Sequence, residues 1–496
     1  MKDATRKDLK DVAQRWLSDG MYQLSIRPYA EGKSTDDMAD RSHLPTPGKP
    51  PLTSFDDFKR ATLDNGLNVI VAERHAIPVV DMQLSLDAGY ASDQSTKAGV
   101  AKLAMNMLDE GTKSRNALEI SDELISLGAS VGSGSNLDTS FVSLSALTTT
   151  LDDALPIFSD VVLHPAFPEA EFDRLKKQQL TGIRREQQSP NSMAARVFPK
   201  LIYGDGHAYS NPLTGSGTLE SVQAITLDEL KAFHDTWFKP NHATLIVVGD
   251  TTMDEILPKI KAQFGKWEKG DVPSKHVDKV AMRDHNAVYL VDRPGAPQSM
   301  LLAGLVTVPK ANPDEAAIEA VNDVLGGLAT SRINMDLRED KGWSYGAFTG
   351  LINARGQRVF YVLTSVQTDK TSESIVEAMK ELNEIVGDKP ITAEELDKSV
   401  KNNSLSLAGR WETADAVLGS LSQIVQYNLP DDYFKDYPKR VADLTVDKVN
   451  TIAHKIIHPG SIVWVVVGDR KQVQPGLEAL GYGPVKIIDA DGNLLE

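Results

Sequence analysis

The sequence predicts an α+β fold of two homologous domains, each a largely antiparallel sheet with helices packed on one face. Two observations carry this. The first is an internal repeat. Thr226–Asp250 and Thr445–Asp469 align without a gap at an offset of 445 − 226 = 219, sharing Thr226/Thr445, Asp228/Asp447, Pro240/Pro459 and the run Val247–Asp250/Val466–Asp469. Val69–Pro78 and Val288–Pro297 match at the same offset through Val69/Val288, Arg74/Arg293 and Pro78/Pro297. A duplication of this length means two copies of a domain and not a short-period solenoid. The second is patterning. Amphipathic helical stretches mix with alternating strands such as Val80–Leu86 and Phe141–Leu147, the mixture of a half-covered antiparallel sheet.

Bulk numbers bound the function. The 496 residues suffice for two to four domains. A net charge of −16 argues against nucleic-acid or anionic-membrane partners. The absence of cysteine excludes disulfides, thiol catalysis and cysteine-ligated metals. No run of 18 apolar residues predicts a membrane span. The first residues lack the apolar core of a signal peptide. A periplasmic site would therefore need a leader outside this sequence, and the cytoplasm is the expectation otherwise.

In chain order, Thr5–Tyr29 reads as an amphipathic helix, a stop at Asp19-Gly20 and a strand. Thr5, Leu9 and Trp16 match Thr226, Leu230 and Trp237 at an offset of 221. The segment thus reads as the closing helix and strand of a preceding repeat. The proline-rich Ser34–Thr53 follows as a linker. Residues 1–54 are accordingly tail and linker, 55–266 the first domain, 267–284 a polar connection, 285–483 the second domain and 484–496 a C-terminal tail.

The organising stretch of the first domain is Gly99–Thr112, G-V-A-K-L-A-M-N-M-L-D-E-G-T. It resembles the G-x-A-H-x-x-E-H-M-L-F-x-G-T motif of the pitrilysin/insulinase family of zinc metallopeptidases. In that family the two histidines bind zinc and the glutamate activates water. Residues i and i+4 share a helix face, with i+3 near enough to serve as base. Gly99, Ala101, Met107, Leu108, Gly111 and Thr112 keep the frame, while the chemical positions read Lys102, Met105 and Asn106. Neither an ammonium nor a thioether replaces imidazole or carboxylate on zinc. The family's third ligand is a glutamate about 80 residues on; here that position is Gly182, since 182 − 102 = 80. The second acidic position of that helix reads Leu175. The resemblance therefore implies a degenerate site that binds no metal.

The second domain carries Leu325–Ala347, L-G-G-L-A-T-S-R-I-N-M-D-L-R-E-D-K-G-W-S-Y-G-A. It resembles the family's G-G-x-x-x-S-R-L-x-x-x-L-R-E-x-x-G-x-x-Y. By that resemblance Arg338 and Tyr345, seven apart, bind the substrate carbonyl and steady the oxyanion. Gly326-Gly327 lies where zinc-less processing subunits carry a glycine-rich substrate loop, although two glycines also simply end helices. No H-E-x-x-H, G-x-S-x-G or Walker pattern offers other chemistry.

The resemblance, spanning about Phe55–Gly483, implies that the two domains form half of a clamshell and that the chain is a non-catalytic subunit or half, as in mitochondrial-processing-peptidase-like heterodimers. It would hold no cofactor of its own. Its expected partners are a zinc-bearing homologous subunit or N-terminal half and a peptide substrate. A catalytically inert scaffold on the same fold is the alternative.

Overall fold

The computed structural model describes residues 5–18, 20–25 and 54–495. Contacts divide the chain into two compact units, residues 1–49 and 50–496. Among described residues of the first unit, helix α1 spans Arg6–Leu17. Thr5 and Asp8 close a capping box over its first turn, satisfying two donors left free at a helix start. The strand expected after Gly20 does not extend over residues 20–25, which pair with nothing in a sheet. Its remainder and the Ser34–Thr53 linker lie outside the described residues.

The second unit holds two six-stranded sheets. The first contains β1 (Lys59–Thr62), β2 (Asn68–Glu73), β3 (Val79–Leu86), β4 (Ser130–Ser135), β5 (Ser140–Leu147) and β6 (Ala243–Gly249), in the order β1-β2-β6-β3-β5-β4. The second contains β7 (Ala287–Asp292), β8 (Gln298–Thr307), β9 (Ser344–Ile352), β10 (Arg358–Gln367), β11 (Val463–Gly468) and β12 (Lys486–Ile488), in the order β12-β7-β11-β8-β10-β9. Among the described residues only β2/β6, β7/β11 and β7/β12 pair in parallel. The repeated V-V-G strand is thus inserted at the same place in both sheets: β6 between β2 and β3, β11 between β7 and β8.

The helices that matter are α2 (Val100–Asn106), α3 (Glu169–Glu186), α4 (Pro190–Tyr203), α5 (Leu227–Trp237), α6 (Glu315–Asn322), α7 (Ala414–Tyr427) and α8 (Val446–Ile456). In each domain the closing helix lies against the domain's own early helix, α5 against α2 and α8 against α6. Their apolar stripes are buried: Leu230, Phe233 and Trp237 in α5, Val449, Ile452 and Ile456 in α8.

The helices of each domain pack on one face of its own sheet. The second face of each is covered by a helix of the other domain. In the first sheet Ile70, Ala72, Ile246 and Val248 pack under Val417, Leu421 and Ile424 of α7. In the second, Met300, Leu302 and Val465 join the core that contains Ala194, Val197 and Phe198 of α4. The reason is in the strands themselves. N-V-I-V-A-E and V-W-V-V-V-G are continuous apolar runs, which must be covered on both faces.

This exchange welds the domains, and two further stretches tighten the weld. Lys275, in the polar connection, donates to Asp87 at 2.7 Å, to the Ala88 carbonyl at 3.0 Å and to the Asp138 carbonyl at 2.8 Å. Residues 484–496, expected to be a tail, supply β12 and send Asp491 to the buried guanidinium of Arg196 at 2.5 Å. Among the described residues no helix is long and apolar enough to cross a membrane.

Candidate functional site

Helix α2 begins at Gly99 with a φ of +99°, a left-handed conformation open to glycine. A Cβ there would come within 3 Å of Gln179 Nε2, the Ser216 carbonyl and Val222 Cγ2, so the position also demands close approach. The helix has no side-chain cap of its own. Asp93 supplies one from outside: its carboxylate accepts from the Gly99 N–H at 2.7 Å and the Ala101 N–H at 2.8 Å. Burial pushes this carboxyl up to about 7, against the pull of those two N–H groups. The sequence pattern did not single Asp93 out; its only signal is a carboxylate six residues before the glycine.

The degenerate positions separate. Lys102, Asn106 and Gly182 line one cavity of about 940 Å³, with Gly132 and Ser133 of β4, Asp109 and Gln179. Lys102 reaches the Thr214 carbonyl at 3.1 Å. A Cβ at Gly182 would meet nothing within 4 Å, so the space for a longer side chain is there and the side chain is not. Met105 instead is fully buried among core residues. Leu175 is buried as well and borders the cavity. Asp109 is pushed upward by burial, with Glu110 adding to the shift and Arg174 opposing it.

This set does not fit zinc. An ammonium, a thioether in the core, an amide and a glycine offer no imidazole or carboxylate at the matching positions. Among the described residues no group of three or more His, Asp or Glu side chains is placed to hold a metal ion.

Arg338 and Tyr345 lie elsewhere, at the edge of the second sheet. Arg338 rides on a π-helical turn, Met335–Asp340, and is 49% exposed, its Nε 3.4 Å from Glu339. The turn is anchored beneath by buried Ile333 and Leu337 and by Asn334. Asn334 accepts from the Ala347 N–H at 3.1 Å and donates to the Ala329 carbonyl at 2.6 Å. Tyr345 follows in β9, the last strand of its sheet, and is 91% exposed.

Its exposure has a specific backbone cause. Against β10, Ala347 pairs with Thr364 and Ser344 with Val366. Two residues of β9, Tyr345 and Gly346, therefore stand opposite one of β10, Ser365. That is a β-bulge, which bends a strand and re-aims side chains. Ser344 holds it, accepting from the Gly346 N–H at 3.0 Å and contacting Thr364 Oγ1 at 2.8 Å. Tyr345 also borders a shallow cleft of about 270 Å³, with Phe348, Thr364 and Asn191.

The two glycines have a packing role. A Cβ on Gly326 would sit 2.4 Å from the Thr349 N–H nitrogen of β9, and one on Gly327 would sit 2.7 Å from Asn322 Nδ2. They let the π-helical segment Asp323–Gly327 lie against the strand. Gly326 is buried and Gly327 is exposed.

A profile described as Insulinase (Peptidase family M16) matches residues 68–213, and one described as Peptidase M16 inactive domain matches residues 224–403. An uncharacterised zinc protease of Mycobacterium leprae is 21% identical over 415 residues, covering 80% of this chain and 89% of the relative. A non-peptidase homolog, YmxG of Helicobacter pylori, is 22% identical over 419 residues, 82% of this chain and 92% of the relative. The crystal structure of a peptidase M16 inactive domain from Pseudomonas fluorescens superposes with a TM-score of 0.77 at 26% identity, covering 83% of this chain and 98% of that one. The periplasmic protease PqqL of Escherichia coli gives 0.69 at 19%, with 86% of this chain matching 49% of PqqL.

Proposed function

The chain belongs to the insulinase family of peptidases, M16, and on that premise we propose that it is the non-catalytic half of a two-part zinc peptidase. It supplies chamber wall and transition-state contacts to a zinc-bearing homologous half that cleaves peptides. The observation that carries this reading is the bulge at exposed Tyr345, seven residues after Arg338 and its π-helical turn. Strands do not expel a tyrosine for stability; a ring left in water forgoes burial of roughly 2 kcal/mol.

The partner's zinc supplies the activated water. This chain's residues act on charge that develops elsewhere in the substrate. The Arg338 guanidinium and Tyr345 phenol are N–H and O–H donors for an oxyanion, and the anchored turn holds the backbone at Arg338. The β4 edge supports a second task. It is the last strand of its sheet and borders the Lys102 cavity, so an extended peptide can add to it through main-chain hydrogen bonds. Lys102 then faces the bound chain without a base or metal to cleave it.

A pure scaffold is the second reading, and the loss of zinc donors at Lys102, Met105, Asn106 and Gly182 favours it equally. It gives no account of an exposed tyrosine on a bulge. The experiment is reconstitution. The isolated chain, dialysed and analysed for metals, should carry no stoichiometric zinc and cleave no peptide. Mixed with a zinc-bearing M16 homologue from its own genome, it should form a stable complex with more peptidase activity than that homologue alone. Tightly bound zinc in this chain, or activity indifferent to its presence, would overturn the proposal.

A further inference from the structure

Helix α1 carries an apolar stripe that no described residue of its own unit covers. Leu9, Val12 and Trp16, spaced i, i+3 and i+7, are 66%, 57% and 72% exposed. The internal repeat says what such a stripe is for. At an offset of 221 these positions correspond to Leu230, Phe233 and Trp237 of α5, and a further 219 residues on to Val449, Ile452 and Ile456 of α8. All six are buried. The helix starts correspond too: Thr5 with Asp8 and Thr226 with Glu229 form the same capping box, and Thr445 caps α8 alone. The same helix thus occurs three times, twice closing a domain and once with its stripe exposed.

We infer that α1 is the closing helix of a third domain of this kind, and that it docks into the zinc-bearing half of the pair. A second copy of this chain offers no vacancy, because α5 and α8 already occupy the closing positions of both domains. The occupied positions also define the docking site. Each closing helix lies against its domain's early helix, α5 on α2 and α8 on α6. Leu9, Val12 and Trp16 therefore meet the corresponding early helix of the partner's second domain. A 12-residue helix is marginal alone in water, so docking is what makes it persist. This inference rests on the two-part reading for the identity of the partner, but not on any catalytic role for this chain.

The test uses the full 496-residue chain and a zinc-bearing M16 homologue from the same genome whose own second domain lacks a closing helix and V-V-G-D strand. Hydrogen exchange of residues 6–17 is followed in the free chain and in the complex, alongside binding by Leu9→Asp and Trp16→Asp variants. We expect at least tenfold slower exchange of these amides on complex formation, and at least tenfold weaker binding by either variant. The free variants should melt with the parent chain, since both side chains are exposed. A complex in which residues 6–17 exchange as before, or which the variants join equally well, overturns the inference and leaves the proposed function standing. A protected helix in a complex without added peptidase activity does the reverse. Absence of any complex overturns both.

Discussion

In the first domain Lys102, Asn106 and Gly182 line a cavity of about 940 Å³, whereas in the second Arg338 and Tyr345 project from a sheet edge. The two regions treat buried acids differently as well. Asp93, under the start of α2, has no cation beside it, and burial lifts its carboxyl to about 7. Glu315, at the start of α6, is as deeply buried, yet Lys310 and Arg358 outweigh the burial and hold it below the usual carboxylate range. In the first domain a cavity stands where the resemblance puts a metal site, lined by Lys102, Asn106 and Gly182. In the second a π-turn and a bulge present a guanidinium and a phenol. Shape and chemistry are separable here because different residues carry them: glycines and core aliphatics the first, exposed polar groups the second.

The largest effect expected is catalytic. In the reconstituted complex, Arg338→Ala or Tyr345→Phe should each lower turnover by about 10²–10³, roughly 3–4 kcal/mol, as loss of one oxyanion donor does. Size-exclusion chromatography should find the complex intact. Arg338→Lys should rescue poorly, because a point charge does not reproduce the planar fork. Turnover unchanged in these variants would erase the contrast between the two regions.

Next is a stability effect in the first domain. Met105→Glu would place a carboxylate among fully buried aliphatics, at a cost of about 3 kcal/mol in urea unfolding. Tolerance of that glutamate would mean that position 105 faces the cavity after all.

Asp93 sharpens the comparison through pH. Its folded carboxyl, near 7, lies above the unfolded value of 3.8. Between those values the native state holds the extra proton, so this group's contribution falls as pH rises and levels off above about 7. Asp93→Asn should remove that slope. The stability of the parent relative to the variant should therefore decline from pH 4 to pH 7 and stay flat to pH 8. An unchanged difference across that range would contradict the assignment. Smallest of all is Lys102→Met, whose ammonium makes one hydrogen bond, to the Thr214 carbonyl. Its effect on stability should stay within about 0.5–1 kcal/mol.

Much of this was legible in the chain. The repeat at 219 residues announced two equivalent sheets, and the V-V-G-D strands fall at matching places in them. The frame around Gly99 placed α2, and the spacing of Lys102 to Gly182 anticipated two residues that do line one cavity. What escaped is non-local. That α4 and α7 cover each other's domain depends on contacts hundreds of residues apart, although the continuous apolar strands hinted at two covered faces. The bulge at Tyr345 exists only relative to the register of β10, which no single strand reveals. Met105 shares the family spacing but points its apolar side chain into the core, a choice made by chemistry and not by position.

The most direct test of the account is steady-state hydrolysis of a peptide by the zinc-bearing homologue, measured alone, with this chain, and with the Arg338→Ala, Tyr345→Phe double variant. The account predicts substantial turnover only with the parent chain, and an assembled but slow complex with the double variant. Its combined loss should be smaller than the sum of the single losses if both donors serve one oxygen. Full turnover with the double variant would contradict the assignment of these residues and leave this chain a scaffold.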